Sequence, residues 1–201
     1  DLETVFARPN SVISRNSCDF MPNEGMQGFM KYAIINAYNA VTYGELTVPD
    51  YDMFWTGEES GIASAVLRFI SGGPFYVSDR LGETNADVIK PFIEEDGSLM
   101  QCDFIGKPTA DCLYNDPIHM KAPLKIWNFY KGELFIAVFN PTDVEINVIP
   151  KACNAPDIKQ VDYRVTEFFP PGWDYITDWN SGPHVLLQPG EFKLYRFTTL
   201  E

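Results

Sequence analysis

The sequence predicts an α/β plus all-β protein, with a parallel-sheet half followed by an antiparallel half. Three observations predict it. Up to about residue 95, short β-like runs alternate with helical periodicity, the order that builds a parallel sheet covered by helices. After Glu95-Asp96-Gly97, apolar runs pair across Pro and Gly turns, the texture of an antiparallel sandwich. The 201 residues are 45% hydrophobic and 21% charged, so the chain carries enough apolar surface for a core. The expected division is residues 1–96 against 97–201.

Each element has its own signal. Residues 12–15 form a short β-like run. A helix follows, with Met26, Phe29, Met30, Ala33, Ile34, Ala37, Tyr38 and Val41 at spacings of three and four, and Gly44 stops it. Residues 51–55 are the second strand. Thr56 caps the next helix, with Glu58 and Glu59 in its first turn. Ile62, Val66, Leu67 and Ile70 share one face of that helix, and Gly72-Gly73 ends it. Residues 74–78 are a third strand, and 88–92 a short helix interrupted by Pro91. In the second half, 124–130 and 134–139 flank Lys131-Gly132, a hairpin signal. Further strands are expected at 144–149, 163–169, 184–187 and 192–198.

Charge and cysteine usage narrow the function classes. Fifteen basic and 28 acidic residues give a net charge of -13. No basic surplus exists to neutralise phosphates or dock on an anionic membrane, so neither nucleic acid nor membrane is an expected partner. No apolar stretch reaches the roughly 18 residues of a membrane-spanning helix, and Asp1-Leu2-Glu3-Thr4 does not read as a signal peptide. Cys18, Cys102, Cys112 and Cys153 lie far apart in no C-x-x-C pair. Zinc-ligand spacing is absent, with only His119 and His184 to assist, and free thiols in a cytoplasmic, reducing compartment are expected. A Cys102–Cys112 bridge is the alternative.

The candidate chemistry sits where the first-half strands end. Asp19 lies four residues after Arg15, beside Cys18. Asp50 and Asp52 bracket Tyr51, with Met53 and Trp55 close by, and Asp79-Arg80 follows the third strand. The C-terminal ends of strands line the active site of a β/α barrel. Carboxylates converging there beside aromatic rings suit sugar chemistry, in which one carboxyl protonates the leaving oxygen and another attacks or activates water. Any one of these aspartates also fits a turn or helix-cap role.

Several blocks carry a resemblance. They are ISGGPFYVSD at 70–79, DGSL at 96–99, GKPT at 106–109, DCL at 111–113, Asp116-Pro117 and LKIWN at 124–128, with VPDYDMF at 48–54 and VISRNSCDFMP at 12–22. In that order they resemble the raffinose synthase/seed imbibition branch of glycoside hydrolase family 36, most clearly to about Thr142. The resemblance implies an α-galactosidase-like retaining enzyme: the C-terminal part of a (β/α)8 TIM barrel, about strands six to eight, followed by an antiparallel β-sandwich. It implies Asp19 as the catalytic acid/base, in an R-x-x-x-D spacing with Arg15 as a substrate contact. Cys18 replaces the first aspartate of the branch's D-D pair, and Met21 replaces its tryptophan. Asp52 and Met53 match the D-M of the seventh strand, with Trp55 beside them as a further substrate contact.

A whole barrel takes about 250 residues. The family's nucleophile, an aspartate in a K-x-D segment of the fourth strand, is absent from this chain. The chain therefore reads as a C-terminal portion, completed by the N-terminal part of the same enzyme or by a partner chain. The expected function is hydrolysis of terminal α-galactosides such as melibiose or raffinose. The alternatives are raffinose synthase-type galactosyl transfer, or a non-catalytic carbohydrate-binding or structural subunit. The resemblance implies no metal and no organic cofactor.

Overall fold

A computed structural model describes Ala7 and residues 12–200, in two compact units, Asp1–Lys107 and Pro108–Glu201. The division falls at 107/108, later in the chain than the expected 96/97.

In the first unit, β1 (Ile13–Arg15) pairs in parallel with β2 (Val48–Asp50), placing Arg15 opposite Asp50. Between them runs α1 (Gly25–Tyr43), which buries Phe29, Met30, Tyr32, Ala33, Ala37 and Ala40. The expected helix is present, with a buried Asn36 and a half-buried Asn39 three residues on. Asn39 Nδ2 donates to the Asn16 carbonyl at 2.7 Å and Asn16 Nδ2 to the Asn36 carbonyl at 2.7 Å. These bonds moor the segment leaving β1 onto the helix.

The second strand is shorter and earlier than expected, 48–50 in place of 51–55. Asp52 adopts a φ of +63°, which ends the extended run. Its N–H bonds Asp50 Oδ1 at 2.8 Å, an Asx turn that the D-x-D pattern favours. The run 74–78 likewise contributes a single parallel bridge, Phe54 with Val77.

α2 (Gly61–Ser71) starts at a Ser60 cap, not at Thr56. The Asp79 carboxylate takes Thr56 instead, accepting from its N–H at 2.7 Å and its hydroxyl at 2.9 Å. Ten of the eleven α2 residues are buried, from Gly61 to Ser71 with Ile62 excepted. Its two terminal glycines serve different ends. Gly72 is left-handed, with φ +69°, whereas a β-carbon on Gly73 would sit 2.3 Å from the Pro49 carbonyl oxygen. The short helix expected near residue 90 is α3 (Ala86–Ile89), which passes at Lys90–Phe92 into a 3-10 turn accommodating Pro91.

The second unit is antiparallel, and β3 (Lys107–Pro108) spans the division point. A six-stranded sheet runs β3, β4 (Leu124–Tyr130), β5 (Glu133–Phe139), β10 (Phe192–Thr199), β7 (Asp162–Phe169), β8 (Asp174–Asp178). The β4–β5 hairpin turns through Lys131 and Gly132, with φ of +50° and +79°, the pair of positive values a tight hairpin turn needs. A smaller sheet pairs β6 (Ile146–Val148) with β9 (Val185–Leu187). It lies on one face of the larger sheet, and Val165, Phe197, Ile136, Val148 and Leu187 meet in the core between them.

Phe197 is 1% exposed, so Phe197→Ala removes a ring from a filled core. The expected loss is about 3–5 kcal/mol in urea unfolding. Leu186→Ala, on the wet side of β9, should change stability by less than about 0.5 kcal/mol.

Candidate active site

The segments that follow the parallel strands of the first unit bring their polar residues together. Arg15 is the hub. Its Nη1 donates to Asp52 Oδ2 at 2.7 Å and to Asp19 Oδ1 at 3.1 Å, while Nε lies 3.7 Å from Asp50 Oδ2. Three carboxylates therefore share one guanidinium, leaving two negative charges in excess. Tyr76 donates its hydroxyl to both oxygens of Asp50 at 3.0 Å each.

The acids differ in access. The side chain of Asp52 is 7% exposed and that of Asp19 82%. Asp52 is also committed elsewhere, accepting from the Phe20 N–H at 2.9 Å and the Met53 N–H at 2.8 Å. It is a strut, whereas Asp19 is the open member of the pair. Burial draws the Arg15 pKa down, but the charges of Asp52 and then Asp50 outweigh it, so Arg15 sits above its ordinary value. Burial, the bond to Asp50 and the neighbouring charges push Tyr76 up to about 12.

Beneath this cluster lies Arg68, 1% exposed. Its Nη2 donates to the carbonyls of Tyr51 at 2.7 Å and Met53 at 3.2 Å, and its Nε to that of Asp52 at 3.3 Å. The rings of Phe20, Tyr32 and Phe54 surround it, with centroids 5.0, 5.3 and 5.3 Å from the guanidinium carbon. Burial lowers its pKa, opposed by the charges around it. The cation thus holds all three carbonyls of the turn in which Asp52 takes its unusual backbone angle.

The other site residues expected from sequence divide. Met53 and Trp55 are linked through Ser78, whose Oγ accepts from Trp55 Nε1 at 3.0 Å and donates toward Met53 Sδ at 2.9 Å. Cys18 is exposed beside Asp19. None of the four cysteines is in a disulfide, so the alternative Cys102–Cys112 bridge does not form. His119 bonds Asp116, and His184 lies against Asn147. Among the described residues, no group of three His, Cys, Asp or Glu is placed to hold a metal ion, and no helix is long and apolar enough to cross a membrane. Sequence reading missed Arg68 and the Tyr76–Asp50 bond. The one available signal for Arg68 was a lone arginine inside the apolar run of α2.

Comparisons with known proteins converge on sugar-handling enzymes. Residues 3–144 match the family model described as "Raffinose synthase or seed imbibition protein Sip1". The galactinol–sucrose galactosyltransferase of Pisum sativum is 43% identical over 105 residues, which are 52% of this chain and 13% of that protein. The chain thus spans less than a fifth of the length of the curated relatives it matches. In structure it is similar to the GH27 β-L-arabinopyranosidase of Geobacillus stearothermophilus, with a TM-score of 0.72 at 14% identity over 100% of this chain and 48% of that one. Against α-galactosidase I of Mortierella vinacea the TM-score is 0.52 at 9% identity, over 83% and 44% of the two chains. At such identities the likeness is one of fold, that of the α-galactosidase-like glycosidases.

Two measurements check this geometry. Arg68→Met keeps the volume but removes the bonds to the Asp52 and Met53 carbonyls and leaves the Tyr51 carbonyl with the Tyr32 hydroxyl as its donor. It should cost about 3 kcal/mol in urea unfolding, and Arg68→Lys should recover little of it. Tyr76 has a folded pKa above the unfolded value of about 10. It therefore stabilises fully below pH 10, and the contribution disappears as pH rises through about 12. The stability gap between the parent and Tyr76→Phe should be constant below about pH 9 and close across that window.

Proposed function

The chain belongs to the raffinose synthase or seed imbibition protein family, and from that premise we propose that residues 13–83 form the acid/base side of a retaining galactosyl-transferring site. One observation carries this reading: an accessible acid, Asp19, held 3.1 Å from an arginine that a buried aspartate anchors. Arg15 and Asp52 orient it, Cys18 and Met53 wall the sugar pocket, and Trp55 borders it. In this reading β1, β2 and the Phe54–Val77 bridge are neighbouring strands six to eight of a (β/α)8 barrel, and the second unit is its β-sandwich. Their parallel pairing in that order supports it.

The reaction proceeds by double displacement. A carboxylate from residues outside this sequence attacks the anomeric carbon of an α-galactoside. The bond to the leaving oxygen breaks with its electron pair, and Asp19 gives that oxygen its proton. Asp19, now ionised, takes the proton of an incoming hydroxyl as that oxygen displaces the carboxylate. The two carboxyl groups should stand about 5–5.5 Å apart, as retention requires. Two features support a contribution from beyond these residues. β1 is an edge strand among the described residues, and Val12 and Ile13 are 67% and 50% exposed there. Galactosyl transfer to a sugar is favoured by the curated relatives, which are named as galactosyltransferases. Hydrolysis is the second reading, favoured by the openness of Asp19 to water. Free thiols suit a reducing, cytoplasmic setting.

Asp19→Asn in the intact protein should lower turnover of a galactoside with a poor leaving group by about a hundredfold to ten-thousandfold. An activated aryl galactoside should be affected less in the first step. Turnover within a few-fold of the parent on the poor leaving group contradicts the assignment. Sugar products formed with sucrose present separate transfer from hydrolysis.

A further inference from the structure

The loops after Phe54 and Val77 border a second hollow, whose Trp55 is bonded to Ser78 and through it to Met53. It measures about 310 Å³ and is lined by Trp55, Gly57, Glu58, Asp79, Arg80 and Glu83. Trp55 is 37% exposed, and its ring nitrogen is pinned by Ser78 at 3.0 Å, so the indole is fixed yet accessible. Asp79 is occupied in bracing Thr56, whose hydroxyl in turn accepts from the Asn85 N–H at 2.7 Å. That brace ties both loops into a rigid wall. The side chains of Glu58, Arg80 and Glu83 make no hydrogen bond or ion pair among the described residues. A fixed aromatic plate, two uncommitted carboxylates and an uncommitted guanidinium thus border one cavity.

The chemistry of that lining selects its ligand. An indole stacks on the apolar C–H face of a sugar ring, carboxylates accept from hydroxyls, and a guanidinium donates to hydroxyl and ring oxygens. Three acids against one base leave the wall negative, which repels phosphorylated or carboxylated ligands. The volume lies at the small end of ligand sites, enough for one or two sugar rings. Trp55 follows the Asp52 turn by three residues, and Met53 joins the two through its N–H bond to Asp52. A neutral saccharide seated here lies next to the site of galactosyl transfer without occupying it.

The geometry points to this hollow as the acceptor subsite, holding the neutral saccharide that receives the galactosyl group; this rests on the transfer reading above. In the second displacement, the acceptor's hydroxyl oxygen bonds the anomeric carbon. The bond from that carbon to the nucleophilic carboxylate breaks with its electron pair, and the hydroxyl proton passes to Asp19.

Gly57 offers a clean test. A β-carbon there meets no heavy atom within 4 Å, and its φ is not left-handed, so Gly57→Phe fills the hollow without straining the loop. In the intact protein, with sucrose as probe acceptor and para-nitrophenyl α-galactoside as donor, the ratio of sucrose KM to donor KM should rise about tenfold or more, equivalent to the loss of one well-formed contact set. Glu83→Gln should raise the same ratio by a smaller factor. Sucrose should also perturb tryptophan fluorescence in the parent, and this saturable change should weaken to the same extent in Gly57→Phe. Sucrose KM and fluorescence titration both within twofold of the parent in Gly57→Phe overturn the inference, as does a donor KM that rises in step with the sucrose KM. A parent protein that binds sucrose through this hollow yet never turns over the aryl galactoside sinks the catalytic reading while upholding the binding site.

Discussion

The working edge of the first unit depends on one buried cation. Arg68 rises from α2 into a ring of aromatic faces and donates from Nε and Nη2 to the carbonyls of Tyr51, Asp52 and Met53. A left-handed aspartate is a conformation of low population, sustained only where the surroundings over-determine it. Here three carbonyl bonds and the Asx bond from Asp50 do so. The carboxylate so aimed holds Arg15 and the Phe20 N–H together, and Arg15 in turn holds Asp19. Each link fixes the next, from core to surface.

The same chain explains the division of labour among three aspartates on one guanidinium. Asp52 is buried and fully bonded; Asp50 is drawn aside by Tyr76; Asp19 bonds Arg15 and faces outward. Of the three, Asp19 alone combines a bond to Arg15 with a largely open side chain, which is what the proposed acid/base role asks of it. Met53, Ser78 and Trp55 carry this order sideways into the second hollow. Core, acid and proposed acceptor wall therefore belong to one connected framework.

Much of this was legible in the sequence where the signal was local and periodic. α1 and the β4–β5 hairpin stand where helical spacing and the Lys131-Gly132 turn put them. The exceptions arose where a distant side chain outbid a local preference. Thr56 reads as a cap, but the Asp79 carboxylate claims it from 23 residues away. Residues 51–55 read as a strand, but the turn held by Arg68 breaks it. β8 was missed because Tyr175 and Ile176 on either face of an edge strand are both exposed, which erases the alternation. At the site, the R-x-x-x-D spacing and the family blocks identified Arg15, Asp19 and Asp52 as one group. Arg68 left no comparable trace, since its role exists only once α2 packs against the 51–53 turn.

The central claim concerns where Asp19 stands relative to a bound sugar. A crystal structure of the intact protein with a slowly cleaved α-galactoside measures this directly. The account predicts an Asp19 carboxylate oxygen within about 3.2 Å of the glycosidic oxygen, with Arg15 still bonded to both Asp19 and Asp52. A glycosidic oxygen held by a different acid, with Asp19 turned into solvent, contradicts it.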